Sequence, residues 1–301
     1  MPQAPSFLFV GTAKAGTTSI YHYLRQHPQI AIPMKETFYF LRDMYANNHL
    51  AYPAQRSKEN LILDRDSYDA LYRGIEGKVL GEIGTGYLYH HEESIPKIRE
   101  TLGEDVKIIV ILRHPSERCF SSYMHFVKDL HERGSFEEAL ELEEERRREG
   151  WDFMWQHRAL GLYASQVEAY MKAFSNVKVM IYEEFKEQPL QAMQELFEYI
   201  GVDSFLDLKT SKQFNPSGKP RYPLLQKLIT QENLVKKSLR PFFRALYSKE
   251  KRERIRKGAK SRNLKKGQSL SAEQKAKLDL YYRDDIQALE KLLGREIQAW
   301  K

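Results

Sequence analysis

The sequence predicts an α/β fold: a single domain over residues 1–301 whose central, mainly parallel β-sheet is flanked by helices. Three observations carry this. Short apolar runs that read as strands alternate with helical patterns along the whole chain, as βαβ units do. One run, Val106-Lys107-Ile108-Ile109-Val110-Ile111-Leu112, is almost continuously β-branched, which suits the doubly covered middle of a parallel sheet. No internal repeat, low-complexity tract or linker divides the 301 residues, of which 42% are apolar and 12% aromatic. That is enough to bury a sizeable core.

The elements follow in order. Phe7-Leu8-Phe9-Val10, bounded by Pro5, reads as a buried strand. Ser19–Gln26 reads as a helix that stops before Pro28. His27–Ile32 turns into a second short strand, and Pro33–Phe40 is a loop leading into an aromatic cluster. Leu41–Gly77 is polar and irregular, with a short helix at Ser67–Arg73. Lys78–Ile83 is a third strand, leaving through Gly84-Thr85-Gly86. After Leu112, Arg113-His114-Pro115 ends the strand and a helix runs from Ser116 toward Val127. Ser135-Phe136-Glu137-Glu138 has capping-box spacing and opens a charge-laced helix to Gly150, its charges forming a solvated face. Ala159–Phe174 suits an amphipathic helix, Val177–Tyr182 a strand, and Pro189–Ile200 a helix closed by Gly201. Asn215–Pro220 is a loop, basic helical segments follow to Lys257, and the capping box at Ser271–Gln274 starts a helix ending near Gly294. In such sheets ligands bind beyond the carboxyl ends of the strands. The loops after Val10, Ile32, Ile83, Leu112 and Tyr182 would all face that crevice.

Composition narrows the function classes. No run approaches the length of a membrane span. The opening Met-Pro-Gln-Ala-Pro-Ser lacks the basic and apolar regions of a secretory signal. A single cysteine, Cys119, allows no internal disulfide and reads as a packed helix residue. Together these point to a reducing compartment, the cytoplasm. Net charge is +7, yet Val235–Lys266 holds 14 Lys/Arg against Glu250 and Glu253, so that segment carries +12 and the remainder −5. The basicity is local and does not suggest a generally nucleic-acid-binding chain. Peripheral contact with an anionic membrane surface stays open. No metal-ligand spacing is present among the nine histidines, so no metal is expected.

The chemistry starts at Gly11-Thr12-Ala13-Lys14-Ala15-Gly16-Thr17-Thr18. A strand, a glycine-containing turn and a helix start make a phosphate cradle. Glycine lets the backbone approach the anion, and unpaired amides with the helix dipole favour its charge. The spacing is P-loop-like, but the nucleoside-triphosphate loop places its lysine after the second glycine. Here Lys14 lies two places before Gly16, so the magnesium-dependent geometry does not transfer unchanged. Lys-x-Gly-Thr-Thr after a first strand resembles the 5′-phosphosulfate loop of sulfotransferases, which move a sulfuryl group from 3′-phosphoadenosine 5′-phosphosulfate (PAPS) to an acceptor. The resemblance implies that Lys14, Ala15, Gly16, Thr17, Thr18 and Ser19 bind the 5′ end of PAPS, with Lys14 also catalytic.

A second stretch, Leu112-Arg113-His114-Pro115-Ser116-Glu117-Arg118-Cys119-Phe120-Ser121, resembles the same family's 3′-phosphate segment: arginine at the strand end, proline two later, serine eight later. Arginine offers a bidentate, permanently charged clamp, and the resemblance assigns Arg113 and Ser121 to the 3′-phosphate. Read alone, Arg113 is equally a helix-start arginine in a surface ion pair. Glu36, before Phe38-Tyr39-Phe40, is similar to the Glu-x-x-Phe-Phe element of glycosaminoglycan-type sulfotransferases, where the glutamate is the proposed general base. Its plainer reading is a loop carboxylate paired with Lys35. Glu82 to Tyr87 resembles the family's Glu-Lys-(Ser/Thr)-Pro-x-Tyr strand exit, with Ile83 in place of the lysine. Tyr182-Glu183-Glu184-Phe185 resembles the Tyr-Glu-Asp-Leu strand exit, and Asn215–Gly218, Leu270-Ser271, Tyr282, Asp285-Ile286, Leu289-Glu290 and Trp300 resemble patterns of bacterial members. A late Lys/Arg-Gly loop closes over the 3′-phosphate in the family. Arg262, Lys265, Lys266 and Gly267 are preferred over Arg256-Lys257-Gly258, and a solvated basic segment is the alternative.

The expected function is therefore PAPS-dependent sulfotransfer to a hydroxyl of a sugar, lipid or other small acceptor, in a chain closer to the glycosaminoglycan type than to the cytosolic type. Two other readings stand beside it: a small-molecule kinase with an altered phosphate loop, and a non-catalytic nucleotide-binding protein of the same fold.

Overall fold

The computed structural model describes residues 4–47, 61–205, 207–210, 218–222, 225–226, 251, 258–259, 262–266 and 268–301. Five parallel strands form its main sheet: β1 (Phe7–Gly11), β2 (Ile30–Ala31), β3 (Val79–Ile83), β4 (Lys107–Leu112) and β5 (Val177–Ile181), in the order β2-β3-β1-β4-β5. In register, Phe7 lies between Gly81 and Lys107, and Ile108–Leu112 run beside Val177–Ile181. Every strand is parallel to its neighbours, so all five carboxyl ends share one edge, as the alternating pattern predicts.

Strand side chains alternate between two faces, and each face has its own helices. Leu8, Val10, Ile108, Val110 and Leu112 join one core with Ile98 of α4 (His91–Leu102), Val167 and Tyr170 of α8 (Ala164–Ala173) and Leu289 of α11 (Ala272–Leu293). Phe7, Phe9, Ile109 and Ile111 join the other with Ile20 and Leu24 of α1 (Thr17–Leu24), Phe185 of α9 (Tyr182–Glu187) and Met193, Leu196, Phe197 and Ile200 of α10 (Pro189–Ile200). The result is three layers. A third cluster under α5 (Pro115–Lys128) packs Cys119, Phe120 and Tyr123 against Phe136, Leu278 and Tyr282. Cys119 is fully buried there, which pushes its thiol up to about 12, and it is the packed helix residue expected.

Several elements differ from expectation. α4 has no counterpart in the sequence reading, because Pro96 interrupts it and its first turn is acidic and polar. Leu41–Gly77 contains α2 (Arg42–Asn47), and the expected short helix is α3 (Arg65–Ala70), capped by Asp64. The capping box at Ser135 forms, but the helix breaks at Leu142 into α6 (Phe136–Glu141) and α7 (Glu143–Arg148). Most of its charges are exposed, as expected, while Glu143 and Arg146 turn inward. Glu143 is buried, accepting from the amides of Arg158 and Ala159, and Arg146 is buried against Glu132 at 2.7 Å. The expected helix at Ala159 begins only at Ala164, after a 3-10 turn at Ala159–Gly161. Asp285 of α11 accepts from the amides of Tyr163 and Ala164 at 2.7 and 3.2 Å and so closes the start of α8. Within the expected loop, Gly218–Pro220 is a strand, β6, paired antiparallel with β7 (Leu264–Lys266). The rest of that loop and most of the basic segment to Lys257 lie outside the described residues.

Candidate active site

The sheet order fixes where a ligand can sit. After β1 the chain turns to one side, toward β2 and β3, and after β4 to the other, toward β5. The crevice where strand order reverses therefore lies between β1 and β4, where the Lys14 loop and the Arg113 loop begin. They touch: Arg113 Nη1 donates to the Lys14 carbonyl at 3.3 Å, and the Thr12 amide donates to the Ile111 carbonyl at 2.8 Å.

The Lys14 loop is coiled by two left-handed residues, Lys14 (φ 72°) and Gly16 (φ 86°). At Gly16 that conformation favours glycine, and a Cβ there would lie 2.8 Å from the Tyr182 ring. Gly16 is the N-cap of α1 and has no side chain to occupy the helix start, and no acidic residue lies in the first turn. Among the described residues, no backbone acceptor meets the amides of Ala15, Gly16 and Thr17. Thr17 is buried; Thr18 and Ser19 are half-buried beside it.

Lys14 is the electrostatic centre. Burial, then the charges of Lys128 and Arg113, pull its ammonium down to about 7, while Asp129 pulls the other way and Lys35 adds to the fall. No ion pair holds its ammonium among the described residues. A lysine among cations with its positive charge disfavoured is a site that gains by receiving an anion. Arg113 is half-buried, lies 5.3 Å from the Tyr182 ring centroid and reaches Glu117 at 3.5 Å. Ser121 is half-buried one turn beyond Glu117 on α5, with Lys128 two turns further along the same face. The sequence reading missed Lys128, although its spacing from Ser121 is the signal that could have found it.

Glu36 stands at the end of β3, its amide donating to the Ile83 carbonyl at 2.8 Å. Its φ of 61° breaks strand alternation, and its carboxylate meets Lys35 Nζ at 2.5 Å and Thr85 Oγ1 at 3.4 Å. The pairing with Lys35 matches the plainer expectation, and it leaves Glu36 at the same sheet edge as Lys14. Lys35 bridges to Ile83 in the parallel register, so a cation sits beside the position where the resemblance expects one and finds isoleucine. Beneath this lies Glu82, fully buried, accepting from Thr37 Oγ1 at 2.5 Å and from the Tyr68 and Tyr87 hydroxyls at 2.6 Å. Burial raises its carboxyl and these three donors oppose the rise.

The late basic residues divide. Lys265 is exposed on the β6–β7 ribbon and Arg262 is exposed just before β7, Lys266 is the ribbon's last described residue, and Gly267, Arg256 and Lys257 lie outside the described residues. The ribbon docks on the C-terminus of α5: Asn263 donates to Gln226, whose amide donates to the Lys128 carbonyl at 2.9 Å. Its charges thus stand at the Lys128 end of the site. Among the described residues, no three His, Cys, Asp or Glu side chains group to hold a metal ion, and no helix is long and apolar enough to cross a membrane.

Comparison with known proteins agrees with this arrangement. A sulfotransferase from Alicyclobacillus acidocaldarius, of known crystal structure, is 29% identical, with 99% of each chain covered and a TM-score of 0.72. The bifunctional heparan sulfate N-deacetylase/N-sulfotransferase 3 of Mus musculus is 26% identical over 98% of this chain and 31% of its own length. The heparan sulfate glucosamine 3-O-sulfotransferase 3A1 of Mus musculus is 24% identical over 75% of this chain and 52% of its own length. The chain thus spans between about a third and a half of the length of these two curated relatives. The family model described as the sulfotransferase domain matches residues 4–292. With nearly the whole chain matched and the crevice built as above, the protein belongs to the sulfotransferase family.

Proposed function

We propose that the chain transfers a sulfuryl group from PAPS to an acceptor hydroxyl by in-line displacement at sulfur. The observation that carries this is Lys14: a cation with no ion pair among the described residues, its charge disfavoured by burial and by neighbouring cations, in a loop whose amides open on the same crevice as Arg113. The residues fit the group, and PAPS supplies an activated sulfuryl and a good leaving group. The amides of Ala15, Gly16 and Thr17 and the hydroxyls of Thr17 and Thr18 hold the 5′-phosphate. Arg113 and Ser121 hold the 3′-phosphate. Lys14, protonated when the anion arrives, neutralises charge growing on the leaving oxygen as the sulfur–oxygen bond breaks, an electrostatic role. Glu36 takes the proton of the acceptor hydroxyl as its oxygen bonds to sulfur, and Lys35, paired with that carboxylate at 2.5 Å, orients it. Arg262 and Lys265 close over the 3′-phosphate from the ribbon side, and the family resemblance adds Lys266 and Gly267 to the same role. The names of the relatives make a carbohydrate the first acceptor to test, ahead of lipids and other metabolites.

The test is a thermal-shift comparison of adenosine 3′,5′-bisphosphate with ATP–magnesium. At 100 times its dissociation constant, a ligand adds about 2.7 kcal/mol of stability. The bisphosphate is expected to stabilise strongly and ATP–magnesium much less. Equal or greater stabilisation by ATP–magnesium would favour a kinase instead.

A further inference from the structure

The backbone that carries Arg113 is held from behind by residues from three distant parts of the chain. The Tyr163 hydroxyl donates to the Arg113 carbonyl at 2.9 Å. The next amide, that of His114, donates to Glu183 Oε1 at 3.1 Å. The other oxygen of the same carboxylate, Glu183 Oε2, accepts from the indole of Trp300 at 2.9 Å. The Trp300 ring also meets the His114 ring edge-on at 5.9 Å and stands 6.2 Å from Tyr163. A single buried tryptophan therefore touches both groups that fix the strand exit, together with the residue following Arg113. Trp300 is itself fixed. It ends a 3-10 turn (Gln298–Trp300) whose preceding residue, Ile297, is buried and donates its amide to Glu290 at 2.7 Å. Arg295 adds a two-pronged pair to Glu184, the residue after Glu183, at 2.8 and 3.1 Å.

The guanidinium has less to hold it. Among the described residues its contacts are one 3.3 Å bond to the Lys14 carbonyl, a 3.5 Å approach to Glu117 and the face of Tyr182. A bidentate clamp is sensitive to small displacements, so its accuracy depends on the backbone behind it. We propose that Glu183 and Trp300 form a positioning pair that sets the aim of Arg113, and thereby the affinity for the 3′-phosphate of the bound nucleotide. This rests on Arg113 being the 3′-phosphate clamp. Neither member of the pair needs to touch the ligand.

The experiment measures dissociation constants for two probes, adenosine 3′,5′-bisphosphate and adenosine 5′-phosphosulfate, which lacks the 3′-phosphate. The proteins are the unaltered chain, Trp300→Phe, Glu183→Gln, Arg113→Ala and the double variant Arg113→Ala/Trp300→Phe. Trp300→Phe keeps the ring packing and removes the indole donor. Glu183→Gln leaves one acceptor oxygen for two donors. Each is expected to weaken the bisphosphate about five- to tenfold, the size of one lost hydrogen bond, and to leave the phosphosulfate within about twofold. In the double variant, Trp300→Phe should cost the bisphosphate nothing further, because coupled residues are not additive. Equal losses for both probes would make the pair merely structural, and unchanged affinities would refute the inference outright. If Arg113→Ala itself shows no selective loss, the clamp reading fails first. Should Trp300→Phe not fold, Glu183→Gln and its double variant with Arg113→Ala carry the same comparison.

Discussion

The lowered ammonium of Lys14 makes a quantitative prediction for ligand binding. In the free protein Lys14 titrates at about 7, so at pH 8 only about one molecule in eleven carries the charge there. A polyanion seated against it restores the charged form and returns its titration toward the ordinary lysine value of 10.5. Binding must then draw a proton from solution: about 0.9 per ligand at pH 8, about 0.5 at pH 7 and about 0.1 at pH 6. The observed affinity should fall up to about tenfold per unit as pH rises from 7 toward 10. Isothermal titration of adenosine 3′,5′-bisphosphate at pH 8, in two buffers of different ionisation enthalpy, reads the uptake directly. At that pH a phosphate monoester, with its second ionisation near about 6, contributes little. Lys14→Met should abolish the uptake. A value below about 0.3 at pH 8, or the same value in Lys14→Met, would refute the reasoning. The sign for the free fold is opposite in kind. Burial lowers Lys14 below its unfolded value, so the unfolded chain binds more protons between pH 7 and 10.5 and stability rises with pH across that window. The slope is at most about 1.4 kcal/mol per unit, and Lys14→Met should flatten it.

Three further outcomes are expected. Glu36→Gln should keep bisphosphate affinity while turnover falls by about 10²–10⁴-fold and the acid limb of the pH–rate profile disappears; near-normal turnover on a true acceptor would move the base to a histidine such as His22 or His125. Gly16→Ala combines a left-handed backbone with a methyl group 2.8 Å from the Tyr182 ring, so a strain of about 1–2 kcal/mol should appear in thermal melts, together with loss of the bisphosphate-induced shift. Replacing Arg262 and Lys265 together by alanine should raise the apparent constant for PAPS in initial-rate measurements and leave the melting midpoint nearly unchanged, since exposed charges contribute little stability.

The main sheet was legible because its strands are short apolar runs whose burial needs no partner information. Phe7–Val10 and Ile108–Leu112 are buried along their whole length, and their neighbours in sequence are turn residues. The phosphate loop was legible for a related reason: local backbone chemistry at Gly16 and the helix start determines it. What remained hidden depends on distant residues. Nothing near Glu143 or Arg146 announces that they turn inward, because the partners Glu132 and Arg158 belong to other segments. Glu82 was read as part of a motif, but its donors Thr37 and Tyr68 come from a loop and from α3, on either side of residues 48–60. The same holds for Lys128, whose effect on Lys14 requires that α5 end beside the first loop. Helix α4 escaped because an internal proline and an acidic first turn conceal a segment that buries Ser94 and Ile98.

The closing of α8 by Asp285 has a bearing on how the chain is made. The Tyr163 side chain makes no cap bond to the helix it precedes, and the carboxylate that takes its amide arrives 122 residues later. A ribosome adding about 5–20 residues per second therefore spends on the order of ten seconds with α8 emerged and its first turn uncapped. The central strand waits similarly, since Phe7 finds its two neighbours only at Gly81 and Lys107. Early segments of this fold must stay soluble on their own before the partners that complete them exist. Interrupting synthesis between residues 173 and 285 should give nascent chains that are more protease-sensitive at the start of α8 than the finished protein.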